Sequence, residues 1–309
     1  EPLFRSNTTA LRNAFVRELY RRFSELKKVI KKAVVDNDCF GLEDKPLVMQ
    51  MTPPRERAFD FVRSADKVQA FMKWLEKQVE EGLISVKDAQ QISKGIEGAW
   101  SNKYITDSYK RGVIRARYEL EKAGFKVPSL DSTGGIAGSM STPFHADRVG
   151  LMYSRVYSAL KGITDAMDSQ ISQVLAQGMA DGDNPRLLAR KIVSVIDGSG
   201  TDTLGITDTL GRFIPSQRRA EIMARTEMIR AHHIATVQEY RNWGAVGIKV
   251  KAEMRTATDD RVCEQCKELE KNEDGEYIIY TLDQIERLIP VHPQCRCIAL
   301  PVFDDKLKT

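Results

Sequence analysis

The residues best equipped for chemistry lie near the C-terminus. Cys263 and Cys266 form a Cys-x-x-Cys, and His292-Pro293-Gln294-Cys295-Arg296-Cys297 follows as a His-x-x-Cys-x-Cys. Four of the five cysteines of the chain sit in these two clusters. Two thiolates three positions apart reach one ion from a tight turn, and a second pair arriving from a distant segment completes the tetrahedron that zinc requires. Cys263, Cys266 and Cys295 are the leading ligands. The fourth is Cys297 or His292, and the sequence leaves that open: Cys295 and Cys297 share a face if extended, whereas His292 needs a turn. The expectation is one structural Zn2+ per chain. Two disulfides would need an oxidising compartment, and nothing in the sequence resembles a signal peptide. A thioredoxin-like pair belongs between a strand and a helix, but Thr256 to Cys263 reads as a loop. A catalytic zinc keeps an open position, which four candidate protein ligands do not leave.

These ligands need a frame. The 309 residues are enough for two domains, or for one extended body with an appended module. A net charge of +4 permits an anionic partner without announcing one. There is no run of 18 apolar residues, so no membrane span is expected. Leu11, Phe15, Leu19, Phe23, Leu26 and Ile30 recur at helical spacing. The opposite face carries Arg12, Arg17, Arg21, Arg22, Lys27, Lys28, Lys31 and Lys32. This stripe is a solvated face or a contact for DNA or an acidic partner, with Arg17, Arg21, Lys27, Lys28, Lys31 and Lys32 as the contact candidates. No interleaved aromatics offer stacking platforms. A linker with Cys39, a plain thiol, runs from Asp36 to Pro54.

Further helices are predicted through Val68–Val79, ended by Gly82, and from a capping box at Ser85 to Asp88 through Ile96. Another carries Tyr109–Leu120 and stops at Gly124. Trp100, Tyr104 and Tyr109 read as core. Residues 128–142 read as a flexible Gly/Ser/Thr loop. Val149 to Val174 holds a helical period for roughly 40 Å, frayed by Gly178 and Gly182. Asn184 and Pro185 then cap and start a partner helix. Residues 198–211 form a second flexible stretch. A last helix spans about Ser216 to Trp243. On it Glu227 falls on one face with Arg230 rather than Arg225, so it is tied to Arg230 or to a group outside the helix. His232 and His233 point about 100° apart and do not form one ligand pair. Strands are predicted at Ile248–Met254, Tyr277–Tyr280 and Cys295–Leu300, with a short helix over Leu282–Leu288. So small a sheet buries little apolar surface, and a metal supplies the missing stability.

The chain resembles the phage head morphogenesis, or minor capsid, proteins of the Mu F and SPP1 gene-7 type. Three pieces carry the resemblance: Val174 through Ala189, a helix end, glycine turn and new helix; Ala224-Arg225-Thr226-Glu227 with Arg230 and Ala231; and the two Cys/His clusters, the most specific piece. It covers roughly residues 150–300. Where family members often read Leu-x-Gly after the first cysteine pair, this chain has Leu269 through Gly275, so its glycine comes late. The resemblance implies a non-enzymatic minor structural protein of a tailed-phage head, acting in assembly or DNA delivery. The implied partners are the portal protein, with the major capsid or scaffolding protein and packaged double-stranded DNA in addition. It implies a place in the virion, in the head interior or at the portal vertex, and in the host cytoplasm during assembly. Arg225, Thr226, Glu227 and Arg230 are its motif residues.

The expected fold is mainly α: an extended helical body with long helices plus a small C-terminal α+β zinc-stapled domain. Its divisions are a helical region over 1–127, a hairpin and motif helix over 143–245, and the α+β domain over 246–309. Two alternatives compete. A zinc-stabilised nuclease needs a histidine base beside a metal, and His292 alone is near. A DNA-binding protein would use Arg261 and Arg296, which equally pair with Asp260 and Glu264. The sequence lacks Cys2His2 spacing and a long basic recognition helix.

Overall fold

The computed structural model describes residues 8–42, 64–85, 98–128, 130, 132, 134–198, 212–245, 247–257 and 259–303. All but Ser85 of the Ser85–Asp88 box and its helix, most of the Asp36–Pro54 linker, and most of 198–211 lie outside them. The described chain is mainly helical, with a small mixed region at its C-terminal end. It divides into two compact units. One comprises 1–16, 101–156 and 222–309; the other comprises 17–100 and 157–221.

Helix α1 (Thr9–Lys31) and α2 (Ser64–Val79) follow their apolar periods. Gly82 does not end α2. The backbone widens into a π-helical turn over Glu80–Ile84 that carries Gly82 and buries Leu83 and Ile84. A glycine costs helix stability without breaking it, and tertiary burial outweighs that cost here. Within this unit the Phe40 and Phe71 rings lie 5.2 Å apart, Trp100 donates to the Leu83 carbonyl at 2.6 Å, and Arg22 lies over the Trp100 ring. Trp100, Tyr104 and Tyr109 are all core.

The expectation of an irregular loop over 128–142 is corrected: Gly135–Met140 forms α4, a short helix entered through Gly134 in the left-handed region at φ 76°. Helix α5 (Pro143–Ala180) is longer than its apolar period at both ends, 38 residues or about 57 Å. Gly178 does not fray it. A side chain there would meet Asp183 Oδ2 and Leu188 Cδ1, each at 2.7 Å, so the glycine admits the turn into α6 (Pro185–Asp197). The Asn184 side chain caps α6 by accepting from Leu187 N, with Pro185 opening the helix.

Helix α7 (Ser216–Ala245) is buried along most of its length, polar residues included. It crosses α3 (Asn102–Lys122) closely, because α3 presents Ser108, Gly112 and Ala116 at four-residue intervals. Ser108 Oγ donates to the Met228 carbonyl at 2.7 Å, and Thr236 Oγ1 to the Gly112 carbonyl at 3.3 Å. A methyl on Gly112 would press on the His232 carbonyl and lie 2.7 Å from Ala235 Cβ. Gly112→Ala is therefore expected to destabilise by about 1–3 kcal/mol, the range for overpacking. Gly82→Ala, which would meet nothing within 4 Å, serves as the contrasting control in the same denaturant titration and should stabilise by up to about 1 kcal/mol.

Three antiparallel strands, β1 (Val250–Arg255), β2 (Ile279–Tyr280) and β3 (Ile298–Phe303), form a sheet in the order β2-β1-β3. Ala252 pairs with both Tyr280 and Pro301. Ala252 and Met254, two apart on β1, are fully buried as the alternation requires. The third strand begins at Ile298, not Cys295, so Cys295 and Cys297 belong to the turn that enters it. Tyr277 precedes β2 and bridges to Lys271 instead. That bridge closes the long turn after Leu269, with Gly275 at φ 80° and Asn272 N donating to the Glu276 carbonyl. The sheet's core includes Ile229 and Val237 of α7 beside Met254, Cys266, Cys295 and Cys297.

Candidate metal centre

Cys263 and Cys266 occupy the start of α8 (Glu264–Glu268). Cys263 is the N-cap residue with extended backbone, and its carbonyl accepts from Cys266 N at 3.1 Å. One helical turn therefore presents both sulfurs. On the other side, Cys295 N donates to the His292 carbonyl at 3.1 Å, with Gln294 at φ 63°. This is the turn that His292 needs in order to converge. His292 Nδ1 donates to the Pro293 carbonyl at 2.8 Å, which leaves Nε2 as the free lone pair. Nε2 faces Cys263 Sγ and Cys266 Sγ, each at 3.2 Å. A tetrahedral zinc with ordinary Zn–S and Zn–N bonds would set that edge at roughly 3.5 Å.

Among the described residues two groups of ligand atoms lie mutually within 4.8 Å: Cys263, Cys266 and His292, and Cys266, Cys295 and Cys297. Cys266 is common to both. The thiol chemistry is uneven. The Cys297 thiol donates to Cys295, which with nearby N–H groups brings Cys295 down to about 5 and drives Cys297 upward. Burial pushes Cys266 up to about 12. The exposed Cys263 is held below its ordinary range, first by the Cys266 backbone N–H. Burial opposes the charging of His292, but the Pro293 carbonyl and the Cys295 and Cys263 sulfurs outweigh it and raise His292. Donors that share protons in this way are the set a soft divalent cation replaces.

The motif on α7 supports this turn. Thr226 Oγ1 donates to the Ile222 carbonyl at 2.7 Å and accepts the Gln294 N–H at 2.9 Å. Next to it, the buried Glu227 carboxylate accepts Arg155 Nε of α5 at 2.9 and 3.1 Å, and Arg230 Nε at 3.4 Å. Both partners expected for Glu227, one on its helix and one beyond it, are present. Arg225 is one residue from this junction. Arg261 and Arg296 converge on Asp259, not on Asp260 or Glu264, with Arg296 Nη2 at 2.6 Å and Arg261 Nη2 at 2.9 Å. First Arg296 and then Arg261 hold the Asp259 carboxyl well below its usual range.

Residues 169–300 match the family model of Phage Mu protein F like protein. The Mu F-like segment contains all five candidate ligands and the Arg225-Thr226-Glu227 motif. The family is one of phage head morphogenesis, structural rather than catalytic. No curated protein and no solved structure matches the chain. His232 and His233, both within the Mu F-like segment, are buried apart from the cysteines. His233 Nε2 donates to the Ile285 carbonyl at 2.8 Å, and burial brings its imidazole down to about 4.

The basic face of α1 lies outside the Mu F-like segment. Arg17, Lys31 and Lys32 are exposed. Arg21 forks onto Glu18 at 2.9 and 2.7 Å, Lys28 pairs with Glu25 at 3.0 Å, and Lys27 with Asp197 at 2.7 Å. Arg12 does not belong to that face; it is buried. Cys39 is buried, and its thiol is pushed up to about 12, first by burial. Among the described residues no helix is long and apolar enough to cross a membrane.

Sequence reasoning did not find the role of Thr226 beneath the His292–Cys295 turn, nor Asp259 as the clasp of Arg261 and Arg296. It also missed α9 (Leu282–Leu288) as an anchored element. Thr281 and Gln284 form its capping box, a signal visible in the sequence. Arg148 of α5 and Arg241 of α7 both bind Glu286 at 2.7 Å, which the sequence does not signal.

Proposed function

We propose that the chain is a minor structural component of a tailed-phage head, docked on the portal protein, and that one structural Zn2+ closes its C-terminal region. The observation that carries this reading is that the Phage Mu protein F like match spans a convergent Cys/His cluster. We read residues 1–127, 143–245 and 246–309 as its working divisions, the last being the metal-closed one. Cys263, Cys266, Cys295 and His292 would hold the ion. We take His292 as the fourth ligand because its Nε2 lies 3.2 Å from both Cys263 Sγ and Cys266 Sγ; Cys297, grouped with Cys266 and Cys295, is the alternative. Metal analysis of protein purified under reducing conditions should find about one zinc per chain. Cys297→Ser should keep it, because a hydroxyl still donates to Cys295, whereas His292→Ala should lose it. The reverse pattern would reassign the fourth ligand.

Docking is tested by binding of the purified chain to assembled portal, set against major capsid or scaffolding protein alone. No association with portal, in solution or in particles, would overturn the assignment. Weak affinity in solution fits it, because several copies around a ring raise the effective strength by roughly 10²- to 10⁴-fold. Packaged double-stranded DNA is a second, non-specific partner in this reading, with Arg17, Lys31 and Lys32 as its exposed contacts and Arg21, Lys27 and Lys28 released from their acids on binding. Its affinity should be steeply salt-dependent.

A further inference from the structure

Along α3 three contacts succeed one another. Phe15 of α1 stacks on Tyr104 at 4.7 Å, Ser108 bonds to Met228 of α7, and Gly112 lies against the His232 carbonyl. Phe15, one turn beyond Arg12 on α1, and the middle of α7 are thereby packed on one stretch of α3. Arg12, 9% exposed, and His232, 3% exposed, are interior, and the Arg115 side chain is 11% exposed. Four of their nitrogens have no acceptor: Arg12 Nε, Arg115 Nη1 and Nη2, and His232 Nε2. Their remaining bonds are local. Arg12 Nη2 donates to Thr9 Oγ1 at 3.2 Å, and Arg115 Nε donates to Glu119 at 2.8 Å. Tyr240 donates to the other Glu119 oxygen. The first turn of α1 contains no acidic residue, so its positive end adds to the same field.

We propose that a phosphate-type oxyanion binds where the first turn of α1 meets α3 and α7, held by Arg12, Arg115 and His232. Buried donors forfeit their hydration and are expected to be satisfied, and buried like charges need a counter-charge. Guanidinium forks match a tetrahedral oxyanion better than they match chloride. The surroundings agree. Burial first, then Arg115, Arg111 and Arg12 among the neighbouring cations, hold His232 well below its ordinary range, and burial with Arg225 and Arg296 lowers Arg12. Glu119 is the nearby acid that Arg115 engages, through Nε alone. The anion would tie α1 to the α3–α7 crossing, independently of any metal at the cysteines.

The test is calorimetric titration of the full chain with inorganic phosphate, alongside melting temperature against phosphate at constant ionic strength in chloride. Saturable one-to-one binding and a melting temperature that climbs with phosphate but not with chloride are expected. Arg12→Met and Arg115→Met should each weaken binding by about tenfold or more, while Arg17→Met, exposed on the same helix, should leave it unchanged. If either methionine variant fails to fold, Arg12→Lys and His232→Gln preserve volume and should still weaken binding. A short DNA duplex in the same titration separates the sources. Displacement of phosphate assigns the site to a backbone phosphate, and retention assigns it to the free ion. No phosphate-specific response, or equal affinity in the Arg12 and Arg115 variants, would overturn the proposal.

Discussion

Cys266→Ser is expected to abolish metal binding and to unfold the sheet region. Cys266 is the member common to both candidate ligand groups among the described residues, and it is packed in the core with Met254, Ile285 and Ala299. A structural zinc contributes on the order of 10 kcal/mol to a small domain, comparable with the whole stability of an ordinary domain. Serine retains the volume but offers a poor ligand, so the loss falls on the metal first. Hydrogen exchange should show protection lost over residues 250–303, and also on α7 around Ile229 and Val237, which share that core. The unit comprising 17–100 and 157–221 should keep its protection, and Cys39→Ser should change neither metal content nor exchange. Unchanged zinc stoichiometry and unchanged exchange in Cys266→Ser would sink the structural-metal reading.

Removing the Glu239 carboxylate should be the most costly change outside the cysteines. Glu239 on α7 is 1% exposed. It accepts Arg117 Nε of α3 at 2.6 Å, His145 Nε2 of α5 at 3.1 Å and Trp243 Nε1 at 3.1 Å, while His145 Nδ1 lies 3.0 Å from the Tyr109 hydroxyl. Three helices are thus joined through one charge. Glu239→Ala strands Arg117 and the indole and is expected to cost about 3–5 kcal/mol, the range for breaking a buried pair. Chemical denaturation of both proteins measures it, and a loss under about 1 kcal/mol, the size of a surface pair, would refute the central role. A pH signature accompanies it. Burial acts to raise the Glu239 carboxyl, but the His145 hydrogen bond, Arg117 and Trp243 outweigh it, and the net shift is downward. A carboxyl lowered on folding contributes stability above its unfolded value, about 4.3, and loses that contribution as pH falls through the folded value. Glu239→Gln should therefore flatten the acid limb of the stability profile.

The amphipathic periods of α1, α2, α3 and α5 were legible because burial of one helical face needs only local spacing. So were the Asn184-Pro185 start of α6 and the buried alternation of β1, both of which rest on backbone geometry within a few residues. The pairing of Cys263 with Cys266, and of His292 with Cys295 and Cys297, was legible for a related reason: metal ligands come in short, fixed spacings, although the spacing left the fourth ligand open between Cys297 and His292.

Other features depended on contacts between distant residues. The π-helical turn through Gly82 follows from the burial of Leu83 and Ile84, which outweighs a glycine's local cost. Gly135–Met140 became a helix although its composition reads as a loop, because Ile136 and Met140 pack against Tyr109, Val149 and Ala235. Arg12, one of eight cations on a regular stripe, was turned inward because α1 lies against α3 where Phe15 stacks on Tyr104. The seating of the His292–Cys295 turn on Thr226 joins residues 68 positions apart. A sequence pattern records which side chains share an element's face. It does not record which other element covers that face, and here that choice decided which polar groups are buried, what they bond to, and where the ligands meet.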